Sequence, residues 1–147
     1  MPLSILAIVV ALGLVAIIAV VHFAGGSRPV AALSEDAAMA SMALEHSAFQ
    51  PQHSVLCDRG RTALVFGTPQ LPDEPKCVFG VVVQRGRKLV TRLITPEMIA
   101  GLTTQNGVIH LRLRDFTLPQ ITLALADDAA RAACFETLDG YLDKVQA

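Results

Sequence analysis

The chain begins with an apolar run that contains no charged side chain before Arg28. Between Leu3 and Phe23, nearly every residue is Ala, Val, Ile or Leu. A helix of about 20 such residues spans the roughly 30 Å hydrocarbon layer of a bilayer. The pattern predicts a transmembrane helix from Leu3 to Phe23, within an anchor of residues 1–24 that is followed by a linker at residues 25–33.

Two other interpretations of this run are a cleaved signal peptide and a buried helix of a soluble domain. A signal peptide has a basic start and a shorter apolar core, of about 7–15 residues, so we favour the anchor. Cytoplasmic flanks of membrane helices are enriched in Lys and Arg. Because Arg28 follows the run and no basic residue precedes it, we expect the N-terminus outside and the rest of the chain in the cytoplasm.

Residues 34–50 predict a second, juxtamembrane helix. Ser34 suits the N-cap, and Glu35 follows in the first turn, where a carboxylate complements the helix dipole. Met39 and Met42 contribute to an apolar stripe at helical spacing. The helix either packs on the following domain or lies along the bilayer, and the methionines fit a core better than a partner groove.

From residue 53 the hydrophobic period changes to two, which indicates β-strands. Glycine turns at Gly60 and Gly86 separate the first strands into hairpins. The clearest one-sided alternation is that of Ile109, Leu111 and Leu113 with the polar residues between them. The strand segments are SVLCD, TALVFG, CVFGVVVQ, KLVTRLIT, GVIHLRL and QITLALA.

Two further stretches of residues 53–147 indicate helix. Residues 95–102 favour one or two helical turns, with Thr95 as the cap and Pro96 at the first position. After Asp127 or Asp128, an apolar stripe predicts a C-terminal helix. The fold class is therefore α+β: two N-terminal helices, then a small antiparallel β-sandwich or barrel of about six to seven strands, capped by the last helix.

The amino-acid composition argues against some classes of function for this chain. Of the 147 residues, 52% are hydrophobic and the net charge is −1, so no overall positive field favours nucleic acid. The chain has no Trp and one Tyr, which leaves few rings for base stacking. The three cysteines Cys57, Cys77 and Cys134 are an odd number at no metal-like spacing, which favours reduced thiols over a disulfide scaffold.

Two of the predicted hairpin turns, DRGR and QRGRK, are basic. If both turns face the same way, they form an edge suited to lipid head groups or phosphates, at up to about 1 kcal/mol per residue. The alternative is that these charges keep the turns soluble and the strand edges unpaired. The candidate ligand- or lipid-binding residues are Arg59, Arg61, Arg85, Arg87 and Lys88. If their strands are neighbours, which the sequence does not establish, the patch extends to Arg92, His110, Arg112 and Arg114.

Other chemistry is weakly supported by the sequence. His53, Cys57 and Cys77 do not have the paired spacing of a zinc site, and we predict no metal and no cofactor. The PQLP and PDEP segments match P-x-x-P, but prolines in a hairpin loop explain them. The chain lacks the G-x-S-x-G, H-E-x-x-H, P-loop and GxGxxG motifs, so we predict that it is not an enzyme.

Two resemblances accompany these patterns. Six or seven strands followed by a capping helix resemble the pleckstrin-homology-like superfold, which implies ligand or partner binding, often at the basic loop between the first strands. The segments DRGRTALVFG and RDFTLPQITLAL are similar to uncharacterised single-pass bacterial inner-membrane proteins. That likeness implies the inner membrane as the location and assigns no active site.

The sequence thus predicts a single-pass protein that presents a small binding domain at the membrane surface. We expect a protein partner or an envelope complex, and the alternative is an anionic lipid or small ligand bound by the basic turns. Ala7 and Ala11 have the small-xxx-small spacing that lets two helices approach closely. Alanine is common in such spans, so a homo-oligomer is left open.

Overall fold

The computed structural model describes residues 2–26, 30–70 and 79–146. The chain divides into two compact units, Met1–Ala31 and Ala32–Ala147. Of the predicted features, Arg28, the PDEP segment and Cys77 lie outside the described residues.

The first unit consists of helix α1, Leu3–Val21, which continues into a π-helical turn, His22–Gly26. No residue of α1 is buried within the protein. By length and composition, the segment Leu3–Ala24 is apolar enough to cross a membrane, with a mean hydropathy of 3.1. A signal sequence near the N-terminus meets the same criteria of length and composition.

The second unit has the predicted α+β class. It begins with helix α2, Glu35–Glu45, whose N-terminus is capped by the Ser34 side chain, and it ends with helix α3, Asp128–Gln146. The strands between them are β1 Phe49–Cys57, β2 Thr62–Pro69, β3 Phe79–Arg85, β4 Lys88–Ile94, β5 Ile99–Gln105, β6 Val108–Leu113 and β7 Gln120–Leu123.

The strands form two antiparallel sheets, with the orders β1-β2-β3-β4 and β5-β6-β7. Within the described residues the sheets do not close, so the barrel alternative of the prediction is wrong. Backbone contact does join the two sheets at one corner, where the N–H of Asp58 donates to the carbonyl of Ala124 at 2.8 Å. A corner contact of this kind ties the sheets together without a continuous ladder.

An inner core lies between the two sheets and α3. The predicted alternation of β6 is confirmed, since Ile109, Leu111 and Leu113 are buried and Arg112 is exposed. The α3 stripe also contributes, through Leu138. The buried residues of this core are Cys57, Leu64, Phe66, Phe79, Val81, Ile94, Ile99, Ile109, Leu111, Leu113, Leu118, Ile121, Leu123, Cys134 and Leu138.

Helix α2 forms a second, outer core on the other face of the four-stranded sheet. Ala38 and Met42 are fully buried against Val65 and Val82, with Met39 partly buried beside them. Of the two predicted placements, α2 therefore packs on the domain, and its methionines fill a core. Strands β2 and β3 are consequently covered on both faces, which explains their nearly continuous burial.

Three boundaries differ from the prediction. Helix α2 ends at Glu45, and Phe49 and Gln50 begin β1 instead of completing the helix. Pro51 is accommodated in β1 because, in the described part of the chain, this edge strand pairs with β2 alone and shifts register at that point. Residues 95–102 form a short 3₁₀ turn, Pro96–Met98, and then enter β5, a strand that the sequence pattern did not indicate.

Candidate functional site

The basic turns lie at the same end of the four-stranded sheet. Strands β1 to β4 form an antiparallel meander, so the β1–β2 and β3–β4 turns are on one side. The N–H of Gln84 in β3 donates to the carbonyl of Arg61 at 2.7 Å, so the pairing of β2 with β3 continues up to the two turns. We call this the basic end; its side chains, all exposed, are those of Arg59, Arg61, Arg85, Arg87 and Lys88.

The shape of the first turn depends on unusual backbone angles. Asp58, Arg59 and Gly60 form a 3₁₀ turn in which all three have positive φ, of 52°, 54° and 79°. Only glycine adopts such angles freely, which fits the predicted role of Gly60. The second turn uses Gly86, at φ 60°, so both predicted glycine turns are confirmed.

The cations of the basic end are available for a ligand. Within the described residues, none of the five forms an ion pair or a side-chain hydrogen bond. Asp58 contributes one exposed carboxylate to the same turn. Guanidinium groups offer several N–H donors that match phosphate oxygens, so this end suits a phosphate-bearing surface better than an apolar ligand.

The extension of the basic patch required neighbouring strands, a condition that His110 and Arg112 do not meet. Strand β4, which carries Arg92, is an edge strand whose neighbour is β3, whereas His110 and Arg112 lie on β6 in the other sheet. Arg92 is also engaged elsewhere: its Nε lies 3.7 Å from the Asp115 carboxylate, and it donates to the Thr117 hydroxyl at 3.2 Å. Arg92 therefore links the two sheets and is not part of the basic end.

The two described cysteines, Cys57 and Cys134, are buried and carry free thiols. Burial, with smaller contributions from Cys134 and Asp58, raises the pKa of Cys57 to about 12. Burial also raises the pKa of Cys134 to about 11. Both thiols are therefore protonated near neutral pH and unsuited to nucleophilic chemistry.

His53 does not complete a metal site with Cys57. Its exposed ring stacks on Phe66, with 4.9 Å between the ring centroids. The Cys57 thiol is directed to the carbonyl of Val55 at 3.7 Å. Among the described residues, no group of three or more His, Cys, Asp or Glu side chains is arranged to hold a metal ion.

A groove beside β5 is a feature that the sequence pattern missed. It encloses about 430 Å³ between the β4–β5 connection, the first residues of β5, and α3. Its lining residues are Pro96, Glu97, Ile99, Ala100, Gly101, Arg114 and Leu142. Among the strands that the structure describes, β5 pairs with β6 alone, so its backbone has an unpaired edge on the side away from β6. The sequence pattern favours helical turns for residues 95–102 and therefore does not indicate this edge.

The loop after β6 presents a fully exposed aromatic ring, that of Phe116. The loop is nevertheless well held, because the Asp115 carboxylate accepts from the Thr117 backbone N–H at 2.8 Å and from its hydroxyl at 2.7 Å. These hydrogen bonds lower the pKa of Asp115, with a smaller contribution from Arg92. The exposed ring thus sits on a constrained turn.

No protein-family model, curated protein sequence or solved structure matches this chain.

Proposed function

We propose that the chain is a single-pass membrane protein whose β-rich unit is a non-catalytic binding module at the membrane surface. Its basic end would bind anionic lipid head groups. The observation that carries this proposal is the antiparallel order β1-β2-β3-β4, which brings the two basic turns to one end of the sheet. The resemblance to the pleckstrin-homology-like superfold, in seven strands followed by a helix, supports the same site.

The expected affinity of the basic end alone is modest. Each Lys or Arg near an anionic surface contributes about 1 kcal/mol, and salt weakens that contribution. An anchor compensates for weak binding because it holds the module at a high local concentration beside its target. The apolar segment Leu3–Ala24 supplies that anchor in this proposal.

The proposed location is the bacterial inner membrane, with the N-terminus outside and the β-rich unit in the cytoplasm. The position of Arg28 after the apolar run supports this orientation. The reduced state of Cys57 and Cys134 fits the reducing cytoplasm. The cytoplasmic leaflet also carries the negative surface potential that the basic end needs.

Liposome flotation of residues 28–147, which lack the apolar helix, tests lipid binding. We expect salt-sensitive flotation with vesicles that contain phosphatidylglycerol, and none with phosphatidylcholine alone. The triple variant Arg85→Glu, Arg87→Glu, Lys88→Glu should lose flotation. The double variant Arg112→Glu, Arg114→Glu, which reverses exposed charges outside the basic end, is the matched control. Absence of flotation at low salt rejects the proposal.

A protein partner is the second candidate function. It is favoured by the unpaired edge of β5 beside its groove, because an extended segment can add to such an edge through backbone hydrogen bonds. A photo-crosslinking residue at the exposed position Ala100 should capture a partner in mild detergent. The same residue at Arg112, which is exposed on the central strand β6, should not. Equal capture at both positions argues against this edge.

The absence of catalysis and a homo-oligomeric state are two further proposals that come from the sequence. The module is taken to work without catalysis and without a cofactor. A homo-oligomer formed through the apolar helix is tested by a cysteine introduced at Ala11, which should give a disulfide-linked dimer in membranes if two helices approach there.

A further inference from the structure

The two sheets have four edge strands, and in the part of the chain that the structure describes three of them carry features that hinder the addition of another strand. Strand β1 contains Pro51, which has no N–H to donate, and a shift of register. Strand β4 carries the cations Lys88 and Arg92. Strand β7 has only four residues, and the carbonyl of Ala124 that follows it already accepts from the N–H of Asp58. The exception is β5.

Strand β5, Ile99–Gln105, has none of these barriers along most of its length. Its seven residues, IAGLTTQ, include no proline and no charged side chain, and its shift of register is confined to residues 99–101. Helix α3 does not cover the edge, because residues 103–105 are exposed and Leu102 is only partly buried. In an antiparallel pair, alternate residues direct their N–H and C=O groups away from the paired strand. Strand β5 therefore offers a row of backbone donors and acceptors to an added strand.

A second copy of β5 fits this edge. When two copies lie antiparallel with full overlap, Ile99 is opposite Gln105 and Leu102 is opposite its own equivalent. Like charges directly opposite each other destabilise a strand pair, and this pairing contains none. The interface is two-fold symmetric and closed, because each copy contributes the same edge and no free β5 edge is left.

Charged groups lie beyond both ends of β5. Glu97 precedes the strand by two residues, is exposed and forms no ion pair with a described residue. Beyond the other end, the Arg131 Nη1 donates to the carbonyl of Gly107 at 3.1 Å, and this arginine side chain is 25% exposed. Although Arg131 also pairs with Asp128, its guanidinium has further N–H donors.

These charges favour the antiparallel arrangement of two copies. Full overlap brings Glu97 of one copy to the Gly107 end of β5 in the second copy, where it meets Arg131, and the two-fold axis repeats this pairing. A parallel arrangement instead places the two Glu97 carboxylates side by side. The antiparallel arrangement also brings the β5–β6 turn of the second copy to the groove at the start of β5, whose lining includes Pro96 and Leu142.

We propose that two copies of the chain pair through β5 and form one continuous six-stranded antiparallel sheet, β7-β6-β5-β5-β6-β7. The inference rests on the protein-partner role proposed for this edge and names the partner as a second copy of the chain. It does not depend on lipid binding at the basic end.

Sedimentation equilibrium of residues 28–147 under reducing conditions tests the pairing, because both cores lie within this segment. We expect a dimer whose fraction rises with protein concentration. Thr103→Lys places a charge on the edge of β5 and should weaken the dimer several-fold. Thr122→Lys is the matched control. Both threonines are exposed and both pair with His110, but Thr122 lies on β7, at the opposite edge of the same sheet.

A wild-type segment that stays monomeric at every concentration overturns the proposal, and so does an equal effect of the two lysine variants. Urea unfolding of both variants shows whether they fold. A second variant, Glu97→Lys, changes an exposed residue outside the strand and should also weaken the dimer several-fold, most strongly at low salt. Its control is Glu136→Lys, at an exposed position on α3. An unchanged dimer in Glu97→Lys contradicts the antiparallel pairing.

Failure of this inference differs from failure of the proposed functions. If the segment is monomeric but a photo-crosslinking residue at Ala100 captures a different protein, the β5 edge binds a partner and self-pairing is wrong. If the same residue links two copies of the purified segment, self-pairing is supported. Flotation with anionic vesicles tests the basic end separately, whatever the result at β5.

Discussion

Met42 of α2 lies directly over Gly80 of β3, in the space that a side chain at position 80 would occupy. A Cβ atom at Gly80 would collide with the Met42 Cε, and the Met42 sulfur and Cγ would be 3.1 and 3.2 Å away. Met42 is fully buried, so the whole side chain would have to shift. The absence of a side chain at Gly80 therefore lets α2 pack closely on the four-stranded sheet.

This contact predicts that Gly80→Ala destabilises the β-rich unit by about 1–3 kcal/mol, as overpacking of a filled core does. Urea unfolding of residues 28–147 measures the change. Gly101→Ala is the matched control, since Gly101 lies in a strand, has nothing within 4 Å of the added atom and has no positive φ. Equal loss of stability in both variants would mean that backbone effects, and not Met42, set the cost.

The Asp115 loop predicts an acid-sensitive contribution to stability. The pKa of Asp115 is lowered in the folded protein, first by the Thr117 hydroxyl, so folding favours the ionised carboxylate. The contribution is fully present above the ordinary pKa of an aspartate, about 4, and is lost as the pH falls below it. Asp115→Asn should be less stable than the wild type at neutral pH, and the difference should shrink on acidification.

Measurement of urea unfolding from neutral pH to about pH 3 follows that difference. Asp143→Asn, a change of an exposed carboxylate on α3, serves as the control. A difference between Asp115→Asn and the wild type that is independent of pH would contradict a role of the charge.

The buried thiols predict slow labelling and alkaline sensitivity. In a Cys77→Ser variant, Cys57 and Cys134 should react with a thiol reagent only when the protein unfolds, because burial keeps them protonated and covered. Their pKa values are raised by folding, so their contribution to stability is complete below about pH 9 and decreases as the pH rises toward 11 and 12. Labelling rates with and without urea give the measurement, and rapid labelling of the native variant would contradict it.

The anchor proposal predicts that the chain resists extraction from membranes by alkaline carbonate. The apolar segment Leu3–Ala24 should hold the intact chain in the pellet. A variant with Leu12→Arg and Ile17→Arg should be released or should fail to insert, since each charge at the centre of a helix is unfavourable by about 2.5–3.5 kcal/mol. A mature N-terminus downstream of Phe23 would instead identify a cleaved signal sequence.

Periodicity predicted the parts of the fold that carry strong local patterns. The apolar helix, the β6 alternation and the glycine turns each depend on residues close together in sequence. Strand β5 was missed because Ile99–Gln105 has few apolar residues and follows a proline turn, so its pairing with β6 decides its conformation. The first residues of β1 were missed for a similar reason, since Pro51 is tolerated only because β1 is an edge strand.

The candidate site was predictable in its residues but not in its arrangement. The basic turns were visible as DRGR and QRGRK, and the pairing of β2 with β3 was needed to bring them to one end. The ion pair of Arg92 with Asp115 was not predictable, because β4 and the β6–β7 loop are distant along the chain. Nor did the sequence indicate that Leu33 would bind the turn at Gly60.

The outer core has a consequence for folding during synthesis. Helix α2 leaves the ribosome before any strand of the sheet that it covers. Val82, which packs against α2 in the outer core, is translated about 40 residues after Met42. Until β3 has emerged, the nascent chain carries an amphipathic helix without a partner. If the apolar helix is already inserted at that stage, the membrane surface is the nearest apolar environment that can cover Met39 and Met42.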